Sequence, residues 1–197
     1  MYITLRNGKQ FHYDKPDTWS EAIDINTIAH ALSQINRWGG HTSEPWSVLQ
    51  HSLVMAMLCE ELPDAWAALI HDVTEAITGD FTRPLLHYIP ALRDFKLEIE
   101  TKIFVLFKFT GMTVWTKYLD DQIIHAEASV FGLVPHPDCQ DDLDDMILHE
   151  RIKNNIFLLK GLKPIQIVTQ WRGFYKLCQH SIPALHDLPD NLKVQTQ

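Results

Sequence analysis

A histidine and three carboxylates fall within ten positions of one apolar stretch. In ALIHDVTEAITGD, residues 68–80, they are His71, Asp72, Glu75 and Asp80. His71 and Glu75 are four apart, and Asp72 and Glu75 three apart, so on a helix each pair shares a face. Ionisable groups on an apolar face cost free energy unless something pairs them. Imidazole and carboxylate together suit zinc, manganese, iron or cobalt. A His-Asp step alone describes a helix ion pair equally well. His186-Asp187 in the proline-rich SIPALHDLPD is such a step and is assigned no chemistry. The first pair differs because other ligand types lie in flanking helical patterns. His51 stands among apolar neighbours in WSVLQHSLVMAML, and KYLDDQIIHAEA supplies Asp120 and Asp121. Leu119, Ile123, Ala126 and Val130 form the stripe of that last segment, with Ile124 beside it. Asp120 borders the stripe and is expected to point inward, and Asp121 to be solvated.

The elements that must position these groups are mostly helices. YITLRNGKQFHY alternates around Asn7-Gly8, which predicts a two-residue hairpin. Ile25, Ile28, Ala29, Leu32 and Ile35 recur at helical steps. NRWGGHTSEP reads as a loop, and a long helix is expected from Pro45, a residue suited to a first helical position. Pro63 breaks that helix, Asp64 is a candidate cap for the next, and Gly79 ends it. TRPLLHYIP reads as a turn-rich segment. Two long helices follow, separated by TGM, then the acidic PHPDCQDDLDD, a helix over MILHERIKNNIFLLK and a last one opened by Pro164. The acidic cluster near 141 is read as a helix N-terminus favoured by the dipole, with no ligand role. The expectation is one all-α domain over residues 1–197: hairpin 1–16, metal-binding helical core 24–132, C-terminal helices 140–180, and a loosely attached tail 181–197.

With 197 residues the chain can bury a sizeable core, and 46% hydrophobic with 21% charged residues is an ordinary globular balance. A net charge of −8 argues against a broad grip on nucleic acid. No apolar run approaches membrane-spanning length, since even KIFVLFKF is interrupted by Lys108. Three scattered cysteines without a CxxC, and an opening MYITLRNGKQ with no basic-then-apolar leader, lead to the expectation of a reducing cytoplasm.

His51, His71, Asp72 and Asp120 match in order the pattern of the HD-domain metal-dependent phosphohydrolases, which this sequence resembles. The likeness is closer to the branch containing the bacterial 5′-deoxynucleotidase and the bacteriophage dATP triphosphohydrolases. It is carried by Arg37-Trp38 before the first metal histidine, by GGHTSEPWSVLQHS at 39–52, and by Glu75 and Asp80 four and nine positions after His71. It runs from about Ile23 to Gly132. The resemblance implies an HD-domain helical bundle holding one divalent transition metal (zinc, cobalt or manganese), with magnesium accompanying the substrate phosphates. It implies that Glu75 handles the attacking water as acid–base catalyst. It implies that Arg37 binds phosphate. Beside the resemblance, Lys117 is three residues before Asp120, on the same side of the helix, and is expected to reach the same anion. Arg83, after GDFT, is a weaker third cation, and His41 in the glycine loop is expected to donate to a phosphate oxygen. Asp80 would bind the sugar 3′-hydroxyl, and Trp38 would wall the base.

The expected activity is conversion of dATP to deoxyadenosine and triphosphate in phage nucleotide-pool control, in host cytoplasm if phage-encoded. The alternative is a 5′-deoxynucleotidase acting on dNMP, which the metal motif does not distinguish. The implied partners are a small deoxynucleotide and further copies of the chain, as a dimer or hexamer, with no nucleic acid or membrane. A cyclic-dinucleotide or alarmone phosphodiesterase would carry additional histidines not found here. A non-catalytic HD module would lack a metal ligand, and none is missing.

Overall fold

A computed structural model describes residues 1–134 and 146–195. The acidic cluster near 141 and Cys139 lie outside the described residues. The chain opens on an antiparallel pair, β1 (Tyr2–Thr4) and β2 (Gln10–His12), with Ile3 opposite Phe11. The loop between them is not the expected two-residue turn. The Gly8 N–H donates to Leu5 O at 2.9 Å, and the Leu5 N–H to Lys9 O at 2.8 Å. Gly8 itself has φ +82°. This is a three-residue loop ending in a left-handed residue, the position that a glycine fills without strain.

The rest is helical: α1 (Trp19–Ala22), α2 (Ile25–Leu32), α3 (Val48–Leu58), α4 (Leu62–Ile70), α5 (Glu75–Thr78), α6 (Arg83–Tyr88), α7 (Pro90–Leu106), α8 (Val114–Phe131), α9 (Met146–Leu159) and α10 (Pro164–Ser181). Helix α3 is apolar on every side, and such a helix belongs inside a fold. It is buried along almost its whole length and packs against α4, α8, α9 and α10. His51, near its middle, is therefore delivered to the centre of the domain. Among the described residues no helix is long and apolar enough to cross a membrane.

Several boundaries differ from expectation. Helix α3 starts at Val48, not Pro45, because Ser47 and Gln50 form a capping box at its N-terminus. Helix α4 starts at Leu62, with Pro63 in its first turn, and Asp64 lies inside it. It stops at Ile70, so residues 71–74 form a turn before α5. The segment read as turn-rich contains α6. The tail beyond Ser181 is packed, not loose. Leu185, Leu188 and Leu192 are buried, and Asn191 donates to Ser20 O at 2.7 Å and Ile23 O at 2.6 Å.

Candidate metal centre

Two imidazoles meet at the junction of α3 with the end of α4. Their ring centroids are 5.4 Å apart. Each has its Nδ1 occupied by an acceptor: His51 Nδ1 lies 3.0 Å from Glu127 Oε1, and His71 Nδ1 lies 2.8 Å from Ala68 O. A proton held at Nδ1 leaves the Nε2 lone pair as the available ligand. Both Nε2 atoms are buried and make no hydrogen bond of good angular geometry, although each has a carboxylate oxygen 3.0–3.1 Å away. Two orphaned, co-directed imidazole nitrogens are costly unless an electrophile meets them.

Carboxylates close the same space. Asp72 Oδ2 lies 3.0 Å from His71 Nε2 and 4.0 Å from His51 Nε2. Ligand atoms of His51, His71 and Asp72 all fall within 4.8 Å of one another, a group that can hold a metal ion. Asp120 stands outside that tight set but puts Oδ1 3.1 Å from His51 Nε2, on the side of α8. Its neighbour Asp121 faces outward and meets Arg83 at 3.1 Å. His71 closes α4 with a helical backbone, its N–H still bonded to Ala67 O, and Asp72 follows in the turn, so both side chains reach the same space. Burial and Arg37 disfavour a charged His51, but Glu127 and Asp120 outweigh them and lift its pKa to about 9, so an ion that takes Nε2 must displace a proton from it. Burial likewise opposes charge on Asp120, yet His51 and His71 hold it at about 2. The donor set thus has the composition and polarity for a divalent cation.

The centre opens on a cavity of about 550 Å³ lined by residues including Arg37, Trp38, Glu75, Asp80, Lys96 and Asp120. Glu75 is buried, with Oε1 2.9 Å from Lys96 Nζ and Oε2 unpartnered. Burial, and then the nearby Asp72, push its pKa to about 8 against the pull of Lys96. Burial also raises Asp80, with Arg37 acting the other way. Arg83 lines the cavity beside Asp120 and Asp121.

Arg37 and Trp38 enter from the loop before α3. Trp38 has a left-handed backbone, φ +58°, which is strained for a bulky residue. Both side chains are tied to Glu127, two turns along α8 from Asp120. Arg37 Nε donates to Glu127 Oε2 at 3.0 Å, Trp38 Nε1 to the same oxygen at 2.9 Å, and Trp46 Nε1 to Oε1 at 2.8 Å. With His51, four donors converge on a fully buried carboxylate. Burial opposes its charge, but Arg37 and His51 keep its pKa at about 2.

The structure therefore gathers His51, His71, Asp72, Asp120, Glu75, Arg37, Trp38 and Asp80 in one place. It does not bring in His41 or Lys117, which are exposed and do not line the cavity. The Lys117 side chain leaves α8 on the solvent side, although three residues from Asp120. Lys96 takes a place in the cavity that sequence reasoning gave to Lys117; in ALRDFKLEIE it reads as a solvated helix lysine. Glu127 was also missed. Its signal was the seven-residue spacing from Asp120, which returns to the same helix face.

No family model matches the chain. It is similar to the uncharacterized protein YfdR of Escherichia coli K12, 35% identical over 136 residues that span 67% of this chain and 73% of that protein. It is also similar to an uncharacterized protein of Rhodobacter capsulatus, 37% identical over 71 residues, 32% of this chain and 36% of that protein.

Proposed function

The chain belongs to the family of Escherichia coli YfdR, and for it we propose metal-dependent hydrolysis of a deoxynucleotide at its 5′ phosphorus, as in the HD-domain phosphohydrolases its motifs resemble. One observation carries the reading: two buried, orphaned Nε2 atoms converge with Asp72 and Asp120 at the wall of a cavity that also holds Arg37, Lys96 and Glu75. His51, His71, Asp72 and Asp120 would hold a divalent transition ion, whose chemistry is Lewis-acid polarisation of the phosphoryl group and acidification of water.

The chain's own groups do the rest. Glu75 lines the cavity and its unpartnered Oε2 takes the proton of the attacking water, while Lys96 fixes the other oxygen. Arg37 has its Nε committed to Glu127 and presents its terminal nitrogens to phosphate. Asp80 accepts from the sugar 3′-hydroxyl. Trp38, with Ile124 and Leu86 also in the lining, walls the base. Cytoplasmic location and assembly as a dimer or hexamer belong to the same reading.

The leading substrate is dATP, cleaved to deoxyadenosine and triphosphate, with Arg37, Arg83 and Lys96 as the cations of the cavity. A second reading, hydrolysis of dAMP, is favoured by the exposure of Lys117, which takes one expected phosphate cation out of the site. Incubation with dATP and with dAMP in the presence of manganese or cobalt, followed by chromatography, separates the two. Triphosphate and deoxyadenosine from dATP support the first. Turnover of dAMP alone moves the assignment to the second, and no deoxyadenosine from either substrate overturns both.

A further inference from the structure

We infer that Glu127 is a positioning residue that couples the metal centre to the Arg37-Trp38 loop, so that an ion at the centre and order in the loop strengthen each other. The inference rests on the reading of His51, His71, Asp72 and Asp120 as a metal centre. It concerns a residue that stands behind His51, outside the group of ligand atoms, and does not line the cavity.

The geometry divides the carboxylate into two halves. Oε1 faces inward, 3.0 Å from His51 Nδ1 and 2.8 Å from the Trp46 indole nitrogen. Oε2 faces the loop, 3.0 Å from Arg37 Nε and 2.9 Å from Trp38 Nε1. All four partners are donors, so only an acceptor with the lone pairs of an ionised carboxylate satisfies them together. His51 and Glu127 are fully buried, and Trp46 is too, so the inner half cannot exchange its partners for water. The outer half holds side chains from a backbone that is left-handed at Trp38, Gly39 and Gly40. A strained loop of this kind persists where its surroundings over-determine it, and Glu127 supplies two of the bonds that do so.

Coupling follows from the shared, rigid acceptor. A ligand at His51 Nε2 fixes the imidazole plane and makes its Nδ1–H a stronger donor to Oε1. That restrains the carboxylate, and through Oε2 it restrains Arg37 and Trp38. Thermodynamic reciprocity requires the converse: a correctly seated loop holds the carboxylate, and with it His51, in the geometry the ion needs. Carboxylates behind metal-binding histidines typically carry ten- to hundredfold in metal affinity. Here the same carboxylate also anchors the two loop residues placed against substrate.

The test uses the full chain stripped of metal and titrated with zinc against a competing chromophoric chelator. The indole N–H resonances of Trp38 and Trp46 are followed by NMR and assigned with Trp38→Phe and Trp46→Phe. In the wild type, zinc should move both resonances. In Glu127→Gln, which keeps the shape but presents an amide to the donors, zinc affinity should fall about 10- to 100-fold, and the response of Trp38 to zinc should disappear. Unchanged affinity in Glu127→Gln, or a Trp38 resonance indifferent to saturating zinc in the wild type, overturns the inference. If Glu127→Gln does not fold, Trp38→Phe decides. Removing one loop-side donor should weaken zinc binding by about twofold or more, and wild-type affinity in that variant overturns the coupling. Failure of the wild type itself to bind zinc overturns the metal reading and the coupling together. Failure of the coupling alone leaves wild-type binding intact.

Discussion

Asp120 and Asp121 show how one residue step separates two roles. Asp120 turns to His51 at 3.1 Å, whereas Asp121 meets the half-exposed Arg83. Asp120→Ala should abolish metal binding and turnover, while Asp121→Ala should leave metal content at the wild-type level and change activity little. Metal analysis of the two purified variants checks this. Glu75 gives a prediction in pH. Its pKa is raised from 4.5 to about 8, with burial the first cause and Asp72 the second. Between those values the folded, metal-free protein binds more protons at this site than the unfolded chain, so the contribution of Glu75 to stability falls as pH rises. Glu75→Gln cannot titrate there. Urea midpoints measured on metal-free protein should show the variant gaining on the wild type from pH 4.5 to 8. A constant difference across that range would mean that Glu75 titrates normally. With metal loaded, Glu75→Gln should keep its ion yet lose turnover by about a hundredfold or more, as for a lost acid–base group.

At the scale of the element, helix ends decide where the chemistry lands. The capping box of Ser47 and Gln50 sets the start of α3 and so the angle at which His51 enters the centre. Helix α2, on which the preceding loop hangs, is capped by Asp24, which accepts from the Thr27 amide at 2.9 Å and the Thr27 hydroxyl at 2.7 Å. Burial opposes the Asp24 charge, but these bonds and one from Asn7 dominate and lower its pKa. Its stabilisation is therefore complete above the ordinary carboxylate range and is lost as pH falls through the lowered value. Asp24→Ala should cost about 1 kcal/mol at neutral pH, and the gap to wild type should shrink on acidification, as thermal or urea melts would show. The sequence made the helices themselves readable, because their apolar periodicity is strong and α3 is apolar all round. It did not reveal the break at His71. Val73 and Ile77 continue the apolar spacing through the turn, and no glycine or proline marks it.

At the scale of the molecule, metal-ligating types in apolar segments were legible because such residues are expensive to bury without a purpose. The groups behind them were not. Glu127 in HAEASVF and Lys96 in RDFKLEIE look like solvated helix charges, and only the packing of α8 and α7 over the centre turns them inward. The tail was misread for the same reason: its prolines suggest looseness, while Leu185, Leu188 and Leu192 reach the core.

The measurement closest to the central claim is deoxyadenosine release from dATP by metal-stripped protein, before and after manganese, cobalt or zinc is restored, for the wild type and Asp120→Ala. The account predicts no release from stripped protein, recovery in the wild type on adding an ion, and no recovery in Asp120→Ala. Release without any ion, or full recovery in Asp120→Ala, would contradict it.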